Sequence, residues 1–78
     1  MRKKQLCTVI TFATTTDAMG MEATAAKSGF AGRLIPVPGE LSAGCGMAWK
    51  SVNQTNEEAI GFLQEHQLSF DGVYQVLL

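Results

Sequence analysis

Two helix-start signals divide this chain and constrain its fold more than any other feature. The segment Thr14–Asp17 places hydroxyl groups and a carboxylate where an N-cap and a first helical turn need them. Thr55, with Glu58 three residues later, has the pattern of a capping box. The sequence therefore predicts helices over residues 17–28 and 55–66, with the stretches between them left for other structure.

Four segments rich in β-branched and apolar residues surround these helices and indicate strands: 6–12, 33–37, 47–52 and 73–77. The order β-α-β-β-α-β predicts an α+β fold, a ferredoxin-like sandwich with a four-stranded antiparallel sheet and both helices on one face. At 78 residues, the chain is expected to be a single domain spanning 1–78. Pro36 and Pro38 cannot donate to a ladder, so the far end of the second strand is expected to be an edge or already loop.

The first helix, which Gly29 ends, has two adjacent small-residue stripes, so one face of it can pack close to the sheet: Ala18, Met21 and Ala25, and then Met19, Ala23 and Ala26. The second helix is expected to bury Ala59, Phe62 and Leu63, or Ile60 and Leu63. The sheet face opposite the helices is expected to be open and lined along the first strand by one of two sets: Thr8, Ile10 and Phe12, or Cys7 and Val9. Few charges are available to cover it, so we expect a homodimer formed through this face or through a sheet edge.

Charge and hydropathy exclude several classes of protein. Six basic and seven acidic residues give a formal net charge of −1, which argues against a nucleic-acid-binding face. No apolar stretch approaches the roughly 20 residues of a membrane span. Residues 1–4 followed by an apolar segment imitate a signal peptide, but threonines interrupt that segment. It is better interpreted as a strand, so a cytoplasmic protein is expected, with no membrane partner.

The chain has two cysteines and one histidine. Two cysteines are too few for the disulfide framework of a small secreted domain. Without a Cys-x-x-Cys pair, tetrahedral zinc would also lack closely spaced ligands. The sequence therefore predicts no metal site and no cofactor.

Cys45 is the strongest candidate for a reactive group, because glycines flank it on both sides. Gly44 and Gly46 leave the sulfur accessible and allow backbone N–H groups to turn toward it, which would favour the thiolate. Arg33 and Lys50, on the strands that bracket this loop, could supply positive charge. The alternative interpretation, weighed about equally, is a small residue held under a tight loop.

Other candidates are weaker. A Cys45–His66 dyad is less favoured than a solvated imidazole at a helix end. Cys7, inside an apolar strand, is expected to be a small buried hydrophobe. Trp49 is interpreted as either a core anchor or a pocket wall, and three methionines are expected to fill the core: Met19, Met21 and Met47. The glycines of the 39–46 loop lack the spacing of a phosphate-binding loop.

The segments 32–38 (Gly-Arg-Leu-Ile-Pro-Val-Pro) and 41–50 (Leu-Ser-Ala-Gly-Cys-Gly-Met-Ala-Trp-Lys) resemble a family of small selenium/sulfur carrier-like proteins. Thr11-Phe12 and Ala18-Met19 fit an earlier part of the same pattern, so the resemblance covers nearly the whole chain. Three positions depart from it. Gly39 stands where a basic residue is common, Met47 replaces leucine, and Lys50 replaces a frequent arginine.

The resemblance implies that Cys45 accepts a persulfide or selenosulfide from a cysteine desulfurase-like donor and passes it to an acceptor protein. Its supporting residues would be Arg33, Ser42, Gly44, Gly46, Trp49 and Lys50. Such a chain is expected to be a carrier rather than a stand-alone enzyme. The residues themselves are also compatible with two other functions. One is a non-catalytic binding or regulatory module that uses the sheet, and the other is a soft-metal chaperone that uses Cys45 across a dimer.

Overall fold

The computed structural model describes residues 5–39, 41, 46–51 and 54–78. Its elements follow the predicted order, and each boundary lies within two residues of the prediction. The strands are β1 Leu6–Thr11, β2 Gly32–Pro36, β3 Met47–Ser51 and β4 Gly72–Leu77, and the helices are α1 Thr15–Ser28 and α2 Asn56–Glu65. Val52, predicted as the last residue of the third strand, lies outside the described residues.

Local capping fixes both helices, as the sequence predicts. Thr14 is the N-cap of α1 and its hydroxyl accepts from the Asp17 N–H at 3.2 Å, while Gly29 ends the helix in the left-handed conformation. In α2 the capping box is complete. The Thr55 hydroxyl accepts from Glu58 N–H at 3.1 Å, and the Glu58 carboxylate accepts from Thr55 N–H at 2.9 Å.

The four strands form one antiparallel sheet in the order β2-β3-β1-β4. In each βαβ unit, β1-α1-β2 and β3-α2-β4, one other strand lies between the two strands of the unit. This order confirms the predicted α+β, ferredoxin-like fold. β2 is an edge strand, as its prolines predict, and β4 is the other edge.

Both helices pack on one face of the sheet. The helix-side core contains Ile10, Phe12 and Trp49 from the strands, with residues from both helices buried against them: Ala18, Met21, Ala25, Ala59, Phe62 and Leu63. For α1, only one of the two predicted stripes is buried. Met19 is 59% exposed, and Ala23 and Ala26 are exposed as well, so the prediction that Met19 fills the core is wrong. The helix rests on the sheet through the 18–21–25 stripe, and the other stripe consequently turns outward.

The second face of the sheet, opposite the helices, is not simply open. Strand alternation places Cys7, Val9 and Thr11 on this face, and all three are buried. Val9 forms a small cluster with Ala48 and Val76, against which four partly buried side chains pack: Ile35, Val37, Leu41 and Leu78. Val37 and Leu41 belong to the connection between β2 and β3, which supplies the apolar cover that the sequence interpretation lacked.

Candidate functional site

The connection between β2 and β3 carries the predicted reactive group. Ser42, Gly44 and Cys45 lie outside the described residues, whereas Leu41 and Gly46 on either side are described. Gly46 has φ +73°, a conformation that favours glycine, and its carbonyl accepts from the Val37 N–H at 3.1 Å. This bond closes the base of the connection where β2 ends and β3 begins.

The start of α1 lies at the same end of the sheet as this base. In the β1–β3 register, Thr11 is opposite Ala48, so the chain leaving β1 toward Thr14 runs level with the chain entering β3. Thr14 is the N-cap of α1. The N–H groups and the positive dipole end of α1 therefore lie at the end of the sheet where β3 begins. Gly46, the residue after Cys45 in sequence, leads into β3 at this end.

Arg33 and Lys50 are brought together by the sheet. They are direct cross-strand partners in the β2–β3 register. Their neighbours Leu34 and Trp49 pack on the helix side, so alternation places both cations on the second face. Arg33 is exposed, Lys50 is half-buried, and within the described part of the chain neither forms an ion pair. Lys50 lies four positions after Gly46, a separation of about 13 Å at the usual strand rise.

Trp49 is a core residue, which is one of the two roles that the sequence left open. It is 3% exposed and belongs to the helix-side core. Its indole packs against the backbone of Gly32 on the neighbouring strand, where an added Cβ would lie 2.7 Å from Nε1. Trp49 thereby joins β3 to the edge strand β2.

Cys7 is confirmed as a buried residue. It is 8% exposed in β1, and its thiol donates to the Gln5 carbonyl at 3.4 Å. A sulfur in this position is covered by the sheet, so another protein has little access to it.

The sequence model of the family described as "Putative Se/S carrier protein-like" matches residues 7–75. The chain belongs to this family. The matched range begins in β1 and ends in β4, so it contains the whole of the β2–β3 connection and both cysteines. No curated protein and no solved structure significantly matches the chain.

The single histidine of this Se/S carrier-like protein is an exposed residue at a helix end, as predicted. His66 is the C-cap of α2, and its ring lies 4.4 Å from the ring of Phe62, which in turn stacks on Phe30 at 4.2 Å. Within the described ranges, no three His, Cys, Asp or Glu side chains are grouped as metal ligands would be, and neither helix is long and apolar enough to cross a membrane.

Sequence reasoning missed a buried polar group at the opposite end of the sheet. The Thr8 hydroxyl lies 2.8 Å from the Gln54 carbonyl and 3.1 Å from Asn56 Oδ1, tying β1 to the start of α2. Among the described residues, three buried polar atoms have no hydrogen-bond partner: Trp49 Nε1, Ser51 Oγ and Gln54 Oε1. Thr8 was assigned to one of two possible sheet faces, and only the strand register shows that it faces the helix side.

Proposed function

We propose that this protein is a sulfur or selenium carrier in which Cys45 holds the transferred atom. The observation that supports it most is the family match, which spans Cys45 and the glycines on both sides of it. The burial of Cys7 adds a second argument. Because one of the two thiols is enclosed by the sheet, Cys45 is the better candidate for exchange with another protein.

The proposed transfer is a thiol–persulfide exchange. The Cys45 thiolate attacks the terminal sulfur of a donor persulfide. A new S–S bond forms on Cys45, the donor S–S bond breaks, and the donor leaves as a thiolate that takes up the proton released by Cys45. The same exchange with an acceptor thiolate returns Cys45 to its starting state. No external oxidant or reductant is consumed, because the transferred sulfur keeps its oxidation level.

We infer that the start of α1 favours a thiolate at Cys45. A helix N-terminus favours negative charge by about 0.3–1 kcal/mol at exposed sites. Gly46, the residue after Cys45 in sequence, lies at the sheet end where α1 begins. A carrier needs neither a general base nor an oxyanion hole of its own. We therefore infer that it is an accessory protein rather than a stand-alone enzyme, acting in the reducing cytoplasm, where thiols stay free.

Partners are expected to be a cysteine desulfurase-like donor and a thiol-bearing acceptor protein. We propose that Arg33 and Lys50 contribute to docking these partners, because two adjacent cations without an ion pair in the described structure suit an acidic surface. Arg33 and Lys50 lie along the strands, where they can contact a docked protein. Gly44, Gly46 and Ser42 would shape the approach to the sulfur itself.

The test is intact-mass measurement after incubation with inorganic polysulfide and, separately, with a cysteine desulfurase and cysteine. We expect the wild type and Cys7→Ser to gain one sulfur atom, and Cys45→Ser to gain none. No adduct on Cys45 with either donor would overturn the proposal, as would an adduct confined to Cys7. Adduct formation with polysulfide alone would retain the acceptor role of Cys45 and contradict the named donor class.

The cation pair also favours a second candidate, a non-catalytic module that binds an acidic partner through the sheet. Under this alternative, Cys45→Ser would leave partner binding unchanged, whereas Arg33→Gln would weaken it. The same purified variants distinguish the two functions, because the carrier requires sulfur loading at Cys45 and the binding module does not.

A further inference from the structure

Along the outer edge of β4, backbone N–H and C=O groups have no partner among residues 5–39, 41, 46–51 and 54–78. β4 pairs with β1 without interruption from Leu6–Leu77 to Thr11–Gly72, and no other strand of the described residues lies beyond it in the sheet. Gln5 and Leu78 exchange both of their backbone hydrogen bonds, at 2.9 and 3.0 Å. Antiparallel alternation therefore directs the N–H and C=O groups of every second residue outward: those of Val73, Gln75 and Leu77.

This edge lacks the features that usually prevent strands from pairing with other molecules. Edge strands are normally protected by charge, proline or an early end to the strand. β4 reads Gly-Val-Tyr-Gln-Val-Leu, with no charged residue and no proline over its six residues. The other edge, β2, carries Arg33 and ends at Pro36.

Exposed apolar surface is concentrated beside the same edge. The described structure leaves five large hydrophobic side chains exposed, and four of them lie on β4 or next to it: Leu6, Phe70, Tyr74 and Leu77. Leu77 is 58% exposed and is the cross-strand partner of Leu6. Such a cluster marks an interaction site more often than isolated exposed apolar residues do.

We propose that β4 pairs with β4 of a second copy of this chain, antiparallel and with the two-fold axis at Gln75. In this register Val73 faces Leu77 of the other copy, and Gln75 faces its own counterpart. Each of these pairs exchanges two hydrogen bonds, so every outward N–H and C=O of the three residues finds a partner. The result is one continuous eight-stranded sheet.

A second copy suits this edge because the strand is self-complementary. On the opposite face of the sheet, the same register sets Tyr74 beside Val76 of the other copy, so apart from the central Gln75 pair the facing residues are apolar on both faces. No like charges come to lie opposite each other, since β4 has none. The arrangement is closed and isologous, so it ends at two copies rather than growing into a filament.

The experiment measures the oligomeric state and locates the contact. Analytical ultracentrifugation over micromolar to high-micromolar concentrations is expected to show a monomer–dimer equilibrium. Hydrogen exchange is expected to show that the amides of Val73, Gln75 and Leu77 become protected as concentration rises. The amides of Gly72, Tyr74 and Val76, already bonded to β1, should be protected throughout.

Three variants at one exposed position provide the controls. Gln75→Pro removes the central N–H of the pairing and is expected to raise the dissociation constant by about 50-fold or more. Gln75→Lys sets like charges at the two-fold axis and should weaken the dimer at low salt more than at high salt. Gln75→Thr keeps the backbone N–H and should remain dimeric.

Two results would overturn this proposal. One is a monomer at every concentration. The other is a dimer in which the outward β4 amides stay unprotected and Gln75→Lys has no effect, which would place the contact on another surface. Neither result bears on sulfur loading at Cys45, so the proposed function and this interface fail or stand separately.

Discussion

The two edge strands of this sheet each carry a glycine beneath an aromatic ring, yet the two sites differ in what holds them. At β2, an added Cβ on Gly32 would meet the Lys50 carbonyl and the Trp49 indole, and φ is +150°. At β4, an added Cβ on Gly72 would meet the Tyr74 ring, with the nearest carbon 2.7 Å away, and no positive φ is involved. Trp49 is buried, whereas Tyr74 is 40% exposed.

The difference shows that the space beside Gly32 on β2 is filled by backbone and a buried ring, whereas the space beside Gly72 on β4 is filled only by a side chain that can move. Gly32 cannot accept a side chain without a shift of the β3 backbone or of the buried indole. Gly72 could accept one if the Tyr74 ring turned toward solvent. The β2 edge thus packs tightly on β3, and a charge and a proline protect it from pairing with other strands. The β4 edge has no such protection and can contact another molecule.

The largest expected effect comes from Gly32→Ala. The unfavourable φ and the overlap with the Lys50 carbonyl should together lower the free energy of unfolding by about 3 kcal/mol. Urea denaturation followed by Trp49 fluorescence would measure it. The matched control is Gly61→Ala in α2, where nothing lies within 4 Å of the added Cβ, and there we expect stabilisation of up to about 1 kcal/mol. If Gly32→Ala left the free energy of unfolding unchanged, β2 would not be packed as tightly on β3 as the structure indicates.

Gly72→Ala is expected to have a smaller effect whose sign depends on Tyr74. With Tyr74 present, displacing the ring should cost about 1 kcal/mol. In a Tyr74→Ala background the same change should stabilise by a few tenths of a kcal/mol, because alanine loses less backbone entropy than glycine on folding. A double-mutant cycle by urea denaturation measures the coupling. An unchanged sign across the two backgrounds would mean that the ring is not the obstacle.

Much of the fold could be predicted because its determinants are local. Thr14 and the Thr55–Glu58 pair specify where the helices begin within a few residues, and Gly29 specifies where the first ends. Once two helices and four strands are placed, few topologies remain, and the ferredoxin-like order is the common one.

The rest depends on contacts between distant residues. The two stripes of α1 have similar size and polarity, so only packing against the sheet shows that Met21 is buried and Met19 is exposed. The cover that Leu41 gives to the second face was missed for the same reason, since a loop residue carries no periodic signal.

The candidate site divides in the same way. Burial of Cys7 follows from its apolar strand and was predicted. The two roles considered for Trp49 could not be separated, because a residue of β3 changes face with a one-residue shift in register. Cys45 was singled out by its flanking glycines, which are a covalent feature of the chain, and its reactivity remains a prediction that sulfur loading tests.

The smallest expected effect concerns Arg33, the charged residue that protects the β2 edge from pairing with other strands. Arg33 and Lys50 are directly opposite each other, and like charges in this arrangement destabilise a strand pair by about 0.2–1 kcal/mol. Lys50→Gln should therefore raise the free energy of unfolding slightly at low ionic strength, and the gain should shrink at about 1 M salt, where the Debye length falls to about 3 Å. Urea denaturation at two salt concentrations measures the change, with Lys27→Gln in the last turn of α1 as a control that removes a charge elsewhere. If Lys50→Gln destabilises at low salt, the two cations do not repel each other in the isolated chain. Arg33 would then protect the β2 edge without a cost in cross-strand repulsion, and the contrast with the uncharged β4 edge would stand on Arg33 and Pro36 as before.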